Sequence, residues 1–177
     1  PLFILTSLPS AVNPGVVHQL ADRNVPVLSE RHPGKTLDDL IGLAARVKQG
    51  AKIQVANQYY LQPHHAARLA FVHSGKLGRV SQAQISAERG FGLLRKFLGV
   101  TFENPTIRAT SVTSPLMRFN NYLEHEAGAT LVDSKQTIAW FDYGDRFGVF
   151  DFDDVQYGSV IRNQRVLVRG ERGELID

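Results

Sequence analysis

Leu2-Phe3-Ile4-Leu5-Thr6, followed by Val25-Pro26-Val27-Leu28 and by Lys52-Ile53-Gln54-Val55-Ala56, are the segments whose reading decides the fold. Each is a short aliphatic run of strand character, and each lies about a helix length from the next. Between the first two, Asn13-Pro14 reads as a cap followed by proline at the first helical position, opening a helix that ends near Arg23. Between the second and third, Thr36 is followed by Asp38 and Asp39, acidic residues suited to the positive end of a helix dipole. Leu37, Leu40, Ile41, Ala44, Ala45 and Val47 then recur at roughly helical spacing, and Gly50 closes the segment. The order is β-α-β-α-β, which predicts parallel strands joined by crossover helices.

The pattern changes after residue 58. Gln62-Pro63 opens a further helix to about residue 74, with Ala66, Ala67, Leu69, Ala70 and Phe71 as its packing face and Gly75 at its end. Gly78 turns the chain into a strand over 80–86, and a short helical pattern covers 92–98. From Thr106 onward strands dominate, over 107–112, 130–132, 137–143, 148–152, 157–162 and 165–169. Asp142-Tyr143-Gly144-Asp145 marks one turn and Asn163-Gln164 another, and 170–177 is turn-like, then strand-like. The expected fold is α/β. Residues 1–58 read as half of a Rossmann-like parallel sheet, the C-terminal half of a dinucleotide-binding domain. Residues 59–177 read as an α+β domain on a mostly antiparallel open sheet.

Composition bounds the function. The 177 residues are 43% hydrophobic, enough for a sizeable core. With no cysteine there is no disulfide framework, no thiolate zinc site and no cysteine nucleophile. That absence fits a reducing compartment, and a cytoplasmic location is expected. No apolar run approaches the ~20 residues of a membrane span. Residues 1–8 are apolar but lack the basic flank of a signal peptide. The net charge is +3, and Arg162, Arg165, Arg169 and Arg172 are interleaved with Glu171 and Glu174. This reads as a solvated strand face and predicts no nucleic-acid partner.

Four stretches carry a resemblance. Thr6-Ser7-Leu8-Pro9-Ser10, Val27-Leu28-Ser29-Glu30-Arg31-His32-Pro33, Val55-Ala56-Asn57-Gln58-Tyr59-Tyr60 with Pro63, and Ser74-Gly75-Lys76-Leu77-Gly78-Arg79-Val80 follow one another over the first 100 residues. In that order they resemble the Gfo/Idh/MocA family of NAD(P)-dependent oxidoreductases, which pair a Rossmann domain with an α+β domain on an open sheet. The resemblance implies a fragment lacking the N-terminal half of the Rossmann domain. It implies hydride transfer between NAD or NADP and a hydroxyl-bearing carbon of a sugar-like or polyol substrate. Ser7, Leu8, Pro9, Asn13 and Glu30 would then line the cofactor, Arg31 and His32 would be catalytic, and Asn57, Gln58 and Tyr59 would contact the substrate. It also implies a homodimer formed through the open face of the second-domain sheet.

Three departures from the family pattern stand out. Gly-x-Gly-x-x-Gly, the phosphate cradle, is nowhere in the sequence. The nearest run, Gly90-Phe91-Gly92, has Arg95 at the third glycine position and is expected to follow no parallel strand. Arg31 stands where the family has a catalytic lysine, and His32 where it has proline. Relatives often carry a histidine on the helix after Gly92, whereas Leu93-Leu94-Arg95-Lys96-Phe97-Leu98 holds none. A catalytically inactive paralogue acting as a binding or assembly module is therefore the second reading.

The remaining candidates divide between chemistry and structure. His32, with a reference pKa of about 6.5, is an acid–base candidate or an exposed loop histidine. His64 and His65 are adjacent and diverge by about 100° on a helix, so they make a poor metal pair and no metal site is expected. His125, between Glu124 and Glu126, reads as a solvated loop. Asp151, Asp153 and Asp154, interleaved with Phe150 and Phe152, read as a charged strand edge.

Overall fold

Three short parallel strands head the chain. In the computed structural model, which describes residues 2–87, 90–118, 129–153, 155 and 165–177, β1 (Ile4–Thr6), β2 (Val27–Ser29) and β3 (Ile53–Val55) pair in that order. Both ladders are parallel, with Thr6 opposite Ser29 and Ser29 opposite Val55. Residues 1–58 form one compact unit and 59–177 another.

In the first unit α1 (Asn13–Asp22) links β1 to β2, and α2 (Leu37–Lys48) links β2 to β3. Thr36 and Asp39 form a reciprocal capping box at the start of α2. Val17, Val27 and Leu43 form the core, with Leu20 and Ile53 packed on it. Two expectations need correction. The residue that caps α1 is Val12, and Asn13 lies inside the helix without capping it. On α2 only Leu43 is buried, whereas Leu37, Leu40, Ile41 and Val47 are exposed. The inward side of α2 runs through Gly42, which lies against His18, and through Leu43 and Arg46, which pairs with Asp22. The leucine stripe consequently faces outward.

The second unit begins with a 3-10 turn at Tyr59–Leu61 and α3 (Pro63–His73). Then come β4 (Val80–Ser86), α4 (Phe91–Leu98), β5 (Thr106–Arg118), β6 (Thr130–Asp142), β7 (Phe147–Asp153), β8 (Arg165–Gly170) and β9 (Gly173–Ile176). The sheet order is β5-β6-β7-β4-β8-β9. All neighbours are antiparallel except β4 and β7, so a parallel strand does precede Gly90, contrary to expectation. Leu93, Leu94, Phe97 and Leu98 bury α4 against one face of this sheet, and a Cβ at Gly148 would lie only 2.8 Å from Leu94. Glycine at 148 is what lets the helix approach so closely.

Three further details differ from the expected elements. The segments at 130–132 and 137–143 are one strand, because Asp133–Gln136 continue the ladder against Val112–Pro115 despite their polarity. In α3 the buried residues are His65, Leu69 and Val72, at i, i+4 and i+7, while Ala66, Ala67 and Ala70 face outward. Asp151 and Asp153 are not an edge: β7 is an inner strand and both carboxylates are buried. The expected strand over 157–162, the turn at Asn163-Gln164, Arg162, Asp154 and His125 lie outside the described residues. Among the described residues no helix is long and apolar enough to cross a membrane.

The second face of the six-stranded sheet carries Trp140, Ile138, Phe147, Val149, Gln82, Gln84 and Arg108, with Trp140 55% exposed. A hollow of about 690 Å³ opens over part of it.

Candidate functional site

At the carboxyl ends of parallel strands the loops leave the sheet, and open α/β folds place ligands there. In the first unit β1 ends at Thr6 and β2 at Ser29, side by side. The next backbone groups extend the ladder, since Glu30 N donates to Thr6 O at 2.8 Å and Ala56 N to Ser29 O at 2.8 Å. Glu30, Arg31 and His32 therefore project from the middle strand between the exits of β1 and β3.

Asn13, in the first turn of α1, is 1% exposed and its side chain turns onto this loop. Its Nδ2 donates to Ser29 Oγ at 3.0 Å, to Glu30 O at 3.3 Å and to His32 O at 3.2 Å. Ser29 Oγ in turn donates to Glu30 O at 2.8 Å. Arg31 Nε lies 4.0 Å from Glu30 Oε1, and the Arg31 side chain is 21% exposed. The Arg31–His32 peptide bond is cis. Thr6 Oγ1, Asn13 Oδ1 and Arg31 Nε are buried without a hydrogen-bond partner among the described residues. The group thus offers a fixed cation, a carboxylate and spare polar atoms at one end of the sheet.

The other candidates are placed as follows. Ser7, Leu8 and Pro9 form an exposed stretch between β1 and α1, and Pro9 O accepts from Val12 N and Asn13 N. His32 is exposed. Asn57 and Gln58 follow β3 at the end of the first unit, half-buried and exposed. Tyr59 belongs to the second unit, where it is buried in the core with its ring 4.4 Å from that of His65. The structure brings Asn13, Glu30, Arg31 and His32 together. It leaves Tyr59 in a different unit from them.

Ser29 was not singled out in the sequence. The available signal is a polar residue at the inward position of Val27-Leu28-Ser29, where period-two alternation calls for an apolar one. A second missed group lies on β7. Ser86 Oγ donates to Asp151 Oδ2 at 2.9 Å, Gln136 Nε2 to Asp151 Oδ1 at 2.7 Å, and Arg165 Nη2 to Asp151 Oδ2 at 3.2 Å. Beside it Ser134 donates to Asp153, which also accepts from Val155 N. Among the described residues no group of three or more histidine or carboxylate side chains is arranged to hold a metal.

No family model and no curated protein matches this chain. Solved structures do. A Sinorhizobium meliloti protein provisionally assigned as a myo-inositol dehydrogenase matches with a TM-score of 0.69 at 17% identity, over 99% of this chain and 56% of its own. GenD2 from gentamicin A biosynthesis, solved with NAD, gives 0.67 at 18% identity, over 99% and 54%. An oxidoreductase from Agrobacterium radiobacter, solved with NAD+, L-tartaric acid and magnesium, gives 0.67 at 13% identity, over 99% and 60%. The likeness is one of fold: an α/β chain with a small parallel sheet and a mostly antiparallel sheet, as in Rossmann-containing oxidoreductases. This chain spans between half and two thirds of the length of these matched structures.

Proposed function

We propose that the chain is part of an NAD(P)-dependent oxidoreductase of the Gfo/Idh/MocA type, acting on a hydroxyl-bearing carbon of a sugar-like or polyol substrate. The observation that carries the reading is the Glu30-Arg31-His32 loop at the carboxyl end of the middle parallel strand, tied to the start of α1. Two proteins that share the fold were solved with NAD.

The residues present suit the nicotinamide side of a dinucleotide. Ser7, Leu8 and Pro9 are exposed beside an α1 N-terminus that has no side-chain cap, and next to them Thr6 Oγ1 is a polar atom without a partner among the described residues. They do not supply the pyrophosphate cradle, because no Gly-x-Gly-x-x-Gly occurs in these 177 residues.

When bound, the dinucleotide supplies the hydride acceptor or donor. The chain's own residues do the rest. Arg31 is permanently protonated, so it binds the reacting oxygen and stabilises negative charge developing there, without shuttling a proton. His32, exposed on the same loop, takes or returns the hydroxyl proton through its imidazole. Glu30 restrains the guanidinium from 4.0 Å. Asn57 and Gln58 contact the substrate at the exit of β3. The open face of the second-unit sheet joins two copies into a homodimer.

Two observations favour the second reading, a non-catalytic binding or assembly module. The loop offers an arginine where a proton shuttle is wanted, and α4 contributes no histidine. Titration of NAD(H) and NADP(H), with a turnover screen on sugars and polyols using the full-length protein that contains this sequence, separates the two. Turnover abolished by Arg31→Ala supports the enzyme, and cofactor binding without turnover supports the module.

A further inference from the structure

We propose that Asn13, with Ser29 as its relay, is a positioning residue for Arg31 and acts without touching a ligand. Its functional meaning rests on the oxidoreductase reading above, but its geometry does not. Asparagine near a helix start ordinarily uses its side chain on the helix's own amides. Asn13 makes no such bond and turns instead to a loop that is 17 and 19 residues away in sequence. It reaches the carbonyls of Glu30 and His32, the residues that flank Arg31.

The amide has two hydrogens and faces three acceptor oxygens, so Ser29 completes the set. Its hydroxyl accepts from Asn13 at 3.0 Å and donates to Glu30 O at 2.8 Å. Asn13 and Ser29 are 1% and 0% exposed, so water does not compete for these bonds. Glu30 is also held from its other end through Thr6 O. The backbone on both sides of Arg31 is therefore tied to two rigid elements, α1 and β1. The guanidinium has little freedom beyond its own side-chain torsions.

The test uses Asn13→Asp, which keeps the shape and replaces the donor with an acceptor, and Ser29→Ala, which removes only the relay. Amide hydrogen exchange is measured at Glu30, Arg31, His32 and Gly34, with Val17 and Leu43 as internal references. Asn13→Asp is expected to speed exchange roughly tenfold at the loop and not at the references, with a smaller local effect for Ser29→Ala. Exchange unchanged at the loop, or raised equally throughout the unit, overturns the proposal. If Asn13→Asp does not fold, Ser29→Ala decides by the same comparison.

In the full-length protein, Asn13→Asp is expected to lower kcat roughly tenfold at unchanged cofactor KM, and to add little to the loss caused by Arg31→Ala. Fully additive losses overturn the coupling. A wild-type protein with no dinucleotide-dependent turnover sinks the oxidoreductase reading and leaves the exchange result to decide the clamp.

Discussion

Arg68 donates a hydrogen bond from Nη1 to Nδ1 of His65 at 2.9 Å, across one turn of α3. A guanidinium has only donors, so Nδ1 is the bare nitrogen and the imidazole proton sits on Nε2. The ring is wholly buried. Burial first, then the positive fields of His64 and Arg68, lower its pKa from 6.5 to about 4, against the opposing pull of Asp177. The unfolded chain therefore takes up a proton in this window that the folded chain refuses. Stability of the second unit is expected to fall as pH drops from 6.5 to about 4, and to be flat in this group above that window. The slope from one histidine reaches at most about 1.4 kcal/mol per pH unit. Urea unfolding at a series of pH values measures it, and His65→Gln is expected to flatten the profile. An unaltered profile in that variant assigns the acid sensitivity elsewhere.

Glycine substitutions separate crowding from conformational freedom. A Cβ at Gly170 would run into the carbonyl oxygen of Leu77, a backbone atom that cannot swing aside. Gly170→Ala is expected to cost about 2–4 kcal/mol, because β8 or the 75–78 turn has to move. Gly15, in α1, has nothing within 4 Å of where its Cβ would stand. Gly15→Ala is expected to stabilise by up to about 1 kcal/mol through helix propensity alone. Denaturant midpoints for the two variants check both signs.

Asp151 collects three donors from three different elements: Ser86 on β4, Gln136 on β6 and Arg165 on β8. Asp151→Ala leaves the buried Ser86 hydroxyl and the Gln136 amide without an acceptor, and is expected to cost about 2–4 kcal/mol. Arg165 is 71% exposed on its side chain, so Arg165→Ala is expected to cost under about 1 kcal/mol. Equal losses from both would show that the ion pair, and not the neutral hydrogen bonds, carries the stabilisation.

That carboxylate also shows where sequence reading stops. Phe150-Asp151-Phe152-Asp153 alternates with period two, so one face of the strand is aromatic and the other acidic, and alternation alone does not say which is covered. The answer depends on Ser86, Ser134 and Gln136, distant residues whose pairing only the fold supplies. The same holds for Ser29, whose partner Asn13 is 16 residues away. By contrast, the alternation of strand and helix over 1–58 was sufficient to predict parallel strands, because short strands separated by crossover helices have few other solutions. Thr36, Asp38 and Asp39 marked the start of α2 because acidic residues in a first turn are a local signal, whereas the reciprocal bonds between Thr36 and Asp39 emerge only in the structure. The packing face of α2 was misread because apolar spacing identifies a stripe, and tertiary context decides whether the stripe faces the core.

The uncovered face of the six-stranded sheet gives the last prediction. Trp140, Ile138, Phe147 and Val112 are 55%, 37%, 41% and 62% exposed, and Arg108 and Glu174 add charges of both signs on the same face. An apolar centre with both signs around it can be self-complementary, which an isologous contact requires. It is also an uncovered apolar surface of the kind that marks interaction sites. If two copies associate through it, Trp140→Glu places a carboxylate in the middle of the contact on both sides of the two-fold axis. Sedimentation equilibrium is then expected to show a dimer for the wild type and an increase in Kd of at least about a hundredfold for the variant. Circular dichroism is expected to be unchanged, because Trp140 is 55% exposed and lies on the face opposite α4. A wild-type chain that stays monomeric at high concentration, or a variant that dimerises as well as the wild type, removes the sheet face from consideration as the interface.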